Sequence, residues 1–190
     1  MTIPATPLAD LYSAGGRVDL VDVPEQLTVH LDGSGPLDGP EFAAAARLLY
    51  GVSHAVHYLA KSALGHAPAV MPLEALWSPA PAAPGWRWRA FVTQPEPITE
   101  DLLAVVLGRA RRVDSPLRRV NVSRWHEGLA AQVMADGGIA GMPAVVGLHL
   151  GIEGLGYRRR GLHHEIYLGD PRRTRPEQRH TILRQPIEAA

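Results

Sequence analysis

The chain carries two short segments of similar sequence, and each is followed by a turn and a helical pattern. Leu27–Gly33 reads LTVHLDG and Ala131–Gly137 reads AQVMADG, with Gly and Pro residues after both. Each helical pattern leads to a strand pattern with a carboxylate, Glu74 in one half and Glu165 in the other. A repeated supersecondary unit restricts the topologies open to a chain. The sequence therefore predicts an internal duplication.

Hydrophobic periodicity and turn residues predict a mixture of strands and helices. The strand patterns cover residues 27–31, 69–77, 86–94, 118–127, 129–134, 162–168 and 181–187, and the helix patterns cover 41–62, 99–111 and 142–155. Residues 18–23 add either a helical turn or an edge strand.

This order predicts an α+β fold with two strand-helix-strand-strand (SHS2-type) modules in a single domain of 190 residues. The first module covers about residues 26–95, a connecting helix about 99–113, and the second module about 118–188. We expect a pseudo-two-fold axis between the modules and a central ligand cleft around it, since clefts between repeats are common ligand sites.

The composition excludes several classes of function. Nineteen basic residues balance nineteen acidic ones, so nucleic acid is not an expected partner. The chain has no cysteine, which excludes thiol nucleophiles, thiolate metal sites and disulfides. No apolar run approaches the ~20 residues that cross a bilayer, and the first residues lack a secretory signal pattern. We therefore expect a cytoplasmic protein without a membrane partner. The nine histidines form no His-Glu-x-x-His motif, and no metal is expected.

The segment 161–173, GLHHEIYLGDPRR, is the most unusual in the chain. On a strand its side chains alternate between two faces, with His163, Glu165 and Tyr167 on one and His164, Ile166 and Leu168 on the other. The apolar residues place the second face in the core, so the first should look into a cavity or solvent. A partly buried carboxylate between an imidazole and a phenol suits general acid–base chemistry. A solvated face with three polar residues by chance is the alternative.

Glu74 and one helix face are further candidates for the cleft. Glu74 interrupts an apolar strand, so it is either a second cavity carboxylate, favoured by its repeat relation to Glu165, or a structural partner for an arginine. On the 41–62 helix, Tyr50 and His54 belong to one polar stripe. That stripe is either a solvated outer face or a means for both side chains to reach the cleft.

The four tryptophans suit a flat ligand, because indole rings stack on planar groups and also donate a hydrogen bond. They are Trp77, Trp86, Trp88 and Trp125. Trp86 and Trp88 share a strand face, and Trp125 is expected to share one with Glu127. Core packing accounts easily for one or two of the four rings.

Several motifs together resemble a known family. They are LDGSG before a helix with FAAAARLLYGVSHAVHYLAK, then MPLEALW, the pair in WRW, HEG before a strand, and HHEIYLGDPRR with TILRQPI. Over residues 27–187 the chain resembles the GyrI-like small-molecule-binding proteins, in the stand-alone branch without a DNA-binding domain. The resemblance implies two strand-helix-strand-strand modules around a central cleft. Other members of that family are effector domains of multidrug-responsive regulators.

Part of the stand-alone branch hydrolyses cyclopropane-bearing, DNA-alkylating natural products of the yatakemycin and duocarmycin type. The resemblance implies a cofactor-independent hydrolase that confers drug resistance and takes a planar aromatic substrate, as a monomer or homodimer. The implied catalytic residues are Glu165, Tyr167 and Tyr50. For substrate binding the resemblance implies Glu74, Trp77, Trp86, Trp88 and Trp125, and the residue patterns above add His54, His163 and Glu127. Residues 135–139 read ADGGI where the branch often has His-x-Gly-Pro-Tyr, so the expected cleft rim lacks a histidine and a tyrosine.

Two other functions remain open at the level of sequence. A non-catalytic protein that binds and sequesters small molecules is the main alternative, because carboxylates among aromatic rings also suit a cationic drug. An interaction with a partner protein, such as inhibition of a topoisomerase, is the third, and no residue argues for it specifically.

Overall fold

The computed structural model describes residues 5–80, 85–136 and 142–190, and the fold is mixed α+β. The helices are α1 (Leu8–Leu11), α2 (Pro40–Leu64), α3 (Glu100–Arg112) and α4 (Met142–Gly154). The strands are β1 (Asp19–Val23), β2 (Gln26–Ser34), β3 (Leu73–Pro79), β4 (Trp86–Thr93), β5 (Asn121–Trp125), β6 (Gly128–Asp136), β7 (Tyr157–Arg159), β8 (His163–Tyr167) and β9 (His180–Ala189). Residues 137–139 of the ADGGI segment lie outside the described residues.

Strands β3 and β5 begin later than the sequence predicts, because a proline precedes β3 and a serine-capped turn precedes β5. β3 begins at Leu73 rather than at residue 69, and Pro72 before it cannot donate to a strand ladder. The strand predicted over 118–127 is shorter, because Ser115 caps a 3₁₀ turn over Pro116–Arg119 and β5 follows. β5 ends at Trp125, so the expectation that Trp125 and Glu127 share a strand is wrong. The chain turns before Gly128, whose φ of 70° opens β6.

The chain divides into two compact units. The first unit contains residues 1–25, 74–78 and 126–190, and the second contains 26–73 and 79–125. Most of β3 therefore belongs to the first unit and β5 to the second. Compact units and sequence repeats are different divisions of a chain, and the duplicated modules with their pseudo-two-fold axis stay a prediction.

The first unit is a sheet covered by helix α4. Its strand order is β1-β6-β9-β8-β3, with β7 also paired to β9. Residues 18–23 thus contribute an edge strand. Strand β9 pairs antiparallel with both neighbours, and Leu183 lies opposite Val133 on β6 and Glu165 on β8. Leu148 and Ile152 of α4 pack on this sheet against Leu183.

The second unit packs α2 on strands β2 and β4, and α3 on α2. Its strand order is β4-β2-β5, and both pairs are antiparallel. Phe42 of α2 meets Trp88 of β4 edge to face, with ring centroids 5.2 Å apart. Gly33 of β2 lies opposite Trp88 of β4 in the ladder. A Cβ atom at Gly33 would lie 2.3 Å from the Trp88 indole ring. The close approach explains the glycine of the LDGSG segment, which lies in β2 up to Ser34.

Candidate functional site

Glu165 lies at the centre of a polar cluster on one face of β8. The hydroxyl of Tyr167 donates a hydrogen bond to Glu165 Oε2 at 2.7 Å. His163 Nε2 approaches Glu165 Oε1 at 3.4 Å. The three side chains share a face, as strand alternation predicts. The side chain of Glu165 is 12% exposed and that of His163 is 19% exposed, so both are largely sheltered from solvent.

Tyr167 is a buried donor held in place by Trp77. The indole Nε1 of Trp77, on β3, donates to the Tyr167 hydroxyl at 3.1 Å. Burial, and then the charge of Glu165 and its hydrogen bond, raise the pKa of Tyr167 well above its ordinary value. The phenol therefore stays protonated and gives its proton to the hydrogen bond with Glu165. It acts on the carboxylate rather than as a base.

His164 occupies the opposite face of β8, between two buried carboxylates. Its Nδ1 lies 3.1 Å from Glu127 Oε1, and its Nε2 lies 3.1 Å from Glu74 Oε2. All three side chains are buried. The face that the sequence assigned to an apolar core is indeed buried, and Ile166 lies in it, but it also holds charge.

Arg184 and two further side chains extend this arrangement into what we call the buried charge network. Arg184 NH1 lies 3.4 Å from Glu127 Oε2, and its Nε donates to Gln132 Oε1 at 3.0 Å. Its NH2 group also donates to the backbone carbonyl of Leu11. Tyr12 donates to Glu74 Oε1 at 2.8 Å. The network thus consists of Tyr12, Glu74, Glu127, Gln132, His164 and Arg184.

Opposing effects set the ionisation of the network. Burial alone would lower the pKa of His164, but Glu127 and then Glu74 outweigh it and the pKa is raised. Burial alone would raise the pKa of Glu127, but His164 and Arg184 hold the pKa of that carboxyl below its ordinary value. The geometry therefore favours an imidazolium between carboxylates.

The remaining predicted site residues belong to the second unit. Tyr50 is half-buried, and its hydroxyl accepts a hydrogen bond from the Leu73 N–H at 3.2 Å. The Tyr50 ring lies 6.4 Å from that of His54, which is exposed. Trp88 is buried in the core against Phe42.

Trp125 and Trp86 differ in their surroundings. Trp125 meets Phe91 edge to face, with centroids 5.2 Å apart. Trp86 is 49% exposed. Trp77 is joined to the Glu165 cluster through its hydrogen bond to Tyr167.

The structure thus separates the predicted residues of the first unit into two groups. Trp77, His163, Glu165 and Tyr167 lie together on one face. Glu74 and Glu127 meet around His164, a residue to which sequence reasoning gave no role. The sequence feature that could have indicated a role for His164 is the presence of two acids in apolar surroundings. Buried carboxylates require a cation, and His164 had no other assignment.

A small pocket adjoins Tyr167. It is lined by Tyr167, Leu168, Gly169, Pro171, Thr174, Gln178, Arg179, His180 and Thr181. Its cavity of about 70 Å³ has room for roughly two water molecules and is well below the size of a drug-binding site. We assign it no ligand. Within residues 5–80, 85–136 and 142–190, no three His, Asp or Glu side chains converge as a metal site. None of the described helices is long and apolar enough to cross a membrane.

Solved structures identify relatives of the chain. A hydrolase from Listeria innocua is 30% identical over 95% of this chain and 96% of that chain, with a TM-score of 0.79. An uncharacterized conserved protein from Listeria innocua is also 30% identical, over 95% and 97%, with a TM-score of 0.82. The chain belongs to the same family as these two proteins. No protein-family model and no curated protein matches it.

A more distant likeness concerns the fold alone. The C-terminal domain of EcmrR is 13% identical over 92% of this chain and 98% of that domain, with a TM-score of 0.53.

Proposed function

We propose that the protein is a hydrolase that opens the activated cyclopropane of DNA-alkylating natural products, of the yatakemycin and duocarmycin type, by adding water. The observation that carries the proposal is the Glu165 cluster, a sheltered carboxylate with a phenol on one oxygen and an imidazole beside the other. The relative from Listeria innocua that is named a hydrolase supports the same class of reaction.

In the proposed reaction, Glu165 acts as the general base. Its Oε1, the oxygen beside His163, takes a proton from a water molecule as the water oxygen bonds to the cyclopropane methylene carbon. The strained carbon–carbon bond breaks, and its electron pair moves into the conjugated ring to form a phenolate. The proton on Glu165 then returns through solvent to the phenolate, so the product is the substrate plus one water.

The other residues of the cluster hold this base in place. Tyr167 donates to Oε2 and so leaves Oε1 to accept the water proton. Trp77 fixes the Tyr167 hydroxyl. The sequence resemblance implies a further role, orienting the water or donating to the carbonyl oxygen that becomes the phenol, and this role falls to Tyr167 or to Tyr50. Ring strain and aromatisation drive the reaction, and the proposal needs no cofactor.

The finer features of the proposal rest on the sequence resemblance. They are membership of the stand-alone GyrI-like branch, two SHS2-type modules around a central cleft, and tryptophan rings that stack on a planar aromatic substrate. We also propose a cytoplasmic location, a monomeric or homodimeric state and a role in drug resistance.

Mass spectrometry of a duocarmycin-class cyclopropane incubated with the purified protein tests the proposal. We expect the wild type to add one water to the drug and Glu165→Gln to lose nearly all turnover. Glu188→Gln is the matched control, because Glu188 is an exposed carboxylate of the same unit and pairs only with exposed Arg158 among the salt bridges that the structure describes. Full turnover by Glu165→Gln would contradict the assigned base.

Sequestration is the other outcome that this experiment can reveal. Unchanged drug together with saturable quenching of tryptophan fluorescence would replace the hydrolase with a binding protein. In that case Glu165→Gln would weaken binding of a cationic drug and leave the drug chemically intact.

A further inference from the structure

The Glu74–His164 pair ties β3 to β8 on the face opposite Glu165. Its Oε2 and Nε2 atoms lie 3.1 Å apart. Trp77 and Tyr167 join the same two neighbouring strands through the 3.1 Å hydrogen bond. On each strand the two tied residues are three positions apart, so their side chains point to opposite faces. Side-chain contacts therefore join β3 and β8 on both faces of the sheet.

A proton on each ring nitrogen of His164 suits this arrangement. Both nitrogens face carboxylate oxygens, and a neutral imidazole has a single N–H to donate. With His164 and Arg184 positive and Glu74 and Glu127 negative, the formal charges of the buried network cancel. A shift of β8 by one residue would move His164 to the other face and leave two buried acids with one cation. The network is thus specific for one strand register.

Stable packing of the two strands does not require a buried charge network. Well-packed apolar residues of similar volume hold a core together as well as a buried ion pair or better, and the best-attested use of a buried polar group is to specify register. Register matters on these strands because it places the Trp77 indole against the Tyr167 hydroxyl, which donates a hydrogen bond to Glu165 Oε2.

We infer that Glu74 and His164 are positioning residues for Glu165. By fixing β3 against β8 they keep the Trp77 indole against the Tyr167 hydroxyl, and through it they keep that hydroxyl donating its hydrogen bond to Glu165 Oε2. Neither residue touches the reacting atoms. The expected effect of Glu74 and His164 on kcat rests on the proposed function.

Steady-state kinetics of His164→Gln and Glu74→Gln test the inference. We expect kcat to fall roughly 10- to 100-fold with KM unchanged, because a small misplacement of a catalytic group costs this much. His180→Gln and Glu188→Gln are the matched controls, since both remove a member of an exposed ion pair of the same unit. They should keep wild-type kcat. A wild-type kcat in folded His164→Gln would overturn the inference.

Combination with Trp77→Phe separates positioning from a general structural effect. If His164 acts through Trp77 and Tyr167, the double variant loses no more kcat than the worse single variant. If the two losses multiply, His164 does not act through Trp77 and the inference is wrong.

Two further measurements cover a failure to fold and a failure of the proposed function. The double variant Glu74→Gln with His164→Gln leaves the Glu127–Arg184 pair charge-balanced, so it should fold and still lose kcat; full kcat in it would contradict the inference.

If the wild type adds no water, the proposed function fails by itself. Positioning is then tested by denaturant unfolding, in which His164→Gln and Trp77→Phe should couple although they lie on opposite faces. Strict additivity would overturn it.

Discussion

His164 and Glu165 are consecutive residues of β8, and they serve two separate sets of contacts on opposite faces of the strand. Glu165 accepts a hydrogen bond from the Tyr167 hydroxyl and approaches His163, and His164 lies between the buried oxygens of Glu74 and Glu127. A partly exposed acid thus lies next to a fully buried cation in the sequence. The predictions below follow from this arrangement and from the packing around it.

Tyr167→Phe should impair catalysis without loss of the fold. The change removes the hydrogen bond to Glu165 Oε2 and the acceptor of the Trp77 indole, and keeps the buried ring. We expect kcat to fall about 10- to 100-fold and the free energy of unfolding to fall by about 1–3 kcal/mol. Tyr58→Phe, at an exposed tyrosine of α2, is the control. Kinetics and urea unfolding measure both effects, and equal behaviour of the two variants would contradict the role of Tyr167.

Ionisation of Tyr167 should not limit activity in mildly alkaline solution. Burial and Glu165 raise the pKa of this phenol above its ordinary value of 10.0. The donor to Glu165 therefore persists throughout the ordinary working range. We expect the kcat of the wild type to show no decrease in mildly alkaline solution that is caused by Tyr167. A decrease of this origin would be present in the wild type and absent in Tyr167→Phe. Such a decrease below the ordinary pKa would contradict the assigned protonation.

The buried charge network should give stability a defined dependence on pH. The raised pKa of His164 means that its contribution is complete below the ordinary histidine value of 6.5 and is lost as the pH rises through the folded value. The lowered pKa of Glu127 means that its contribution is present above 4.5 and is lost as the pH falls. Urea unfolding should therefore show the largest difference between wild type and His164→Gln at mildly acidic pH. A difference that grows steadily above neutrality would contradict this assignment.

Arg184→Met should destabilise the first unit strongly. It removes one of two buried cations and leaves the acids in excess, a change that typically costs about 3–5 kcal/mol. Adding Glu127→Gln should restore part of the loss, because it removes the unpaired charge. Arg158→Met, in an exposed ion pair, should cost no more than about 1 kcal/mol. Equal losses in the two single variants would show that the buried network is energetically unimportant.

Gly33→Ala should destabilise the second unit through crowding against Trp88 and Glu41. The new methyl group would lie 2.3 Å from the Trp88 ring, which is packed against Phe42, and overpacking of this kind costs about 1–3 kcal/mol. Gly108→Ala is the matched control, because nothing lies within 4 Å of that Cβ position and α3 favours alanine. Thermal unfolding should show a lower Tm for the first variant and an equal or higher Tm for the second.

Most helices and strands could be predicted because their burial follows a simple period. α2 and α3 show apolar residues at helical spacing, and β9 is a nearly continuous buried run. Strand β7 has only three residues and two of them are exposed, so it left no periodic signal. β5 was predicted too long because a Ser cap and Pro116 act locally and end the extended pattern.

The candidate site was only partly accessible from the sequence. Alternation on β8 was enough to group His163, Glu165 and Tyr167. The partners of His164 come from residues 74 and 127, which are distant in the chain, and periodicity carries no information about such contacts. Glu74 was assigned to a cavity on its repeat relation to Glu165, whereas the structure places it with His164 and Tyr12.

Turnover in water enriched with heavy oxygen tests the central claim most directly. A duocarmycin-class cyclopropane is incubated with wild type, Glu165→Gln and Glu188→Gln, and the product is fragmented in a mass spectrometer. We predict one heavy oxygen on the former cyclopropane methylene carbon with wild type and Glu188→Gln, and almost no product with Glu165→Gln. Unaltered drug with the wild type, or equal labelling by Glu165→Gln, would contradict a hydrolase that depends on this carboxylate.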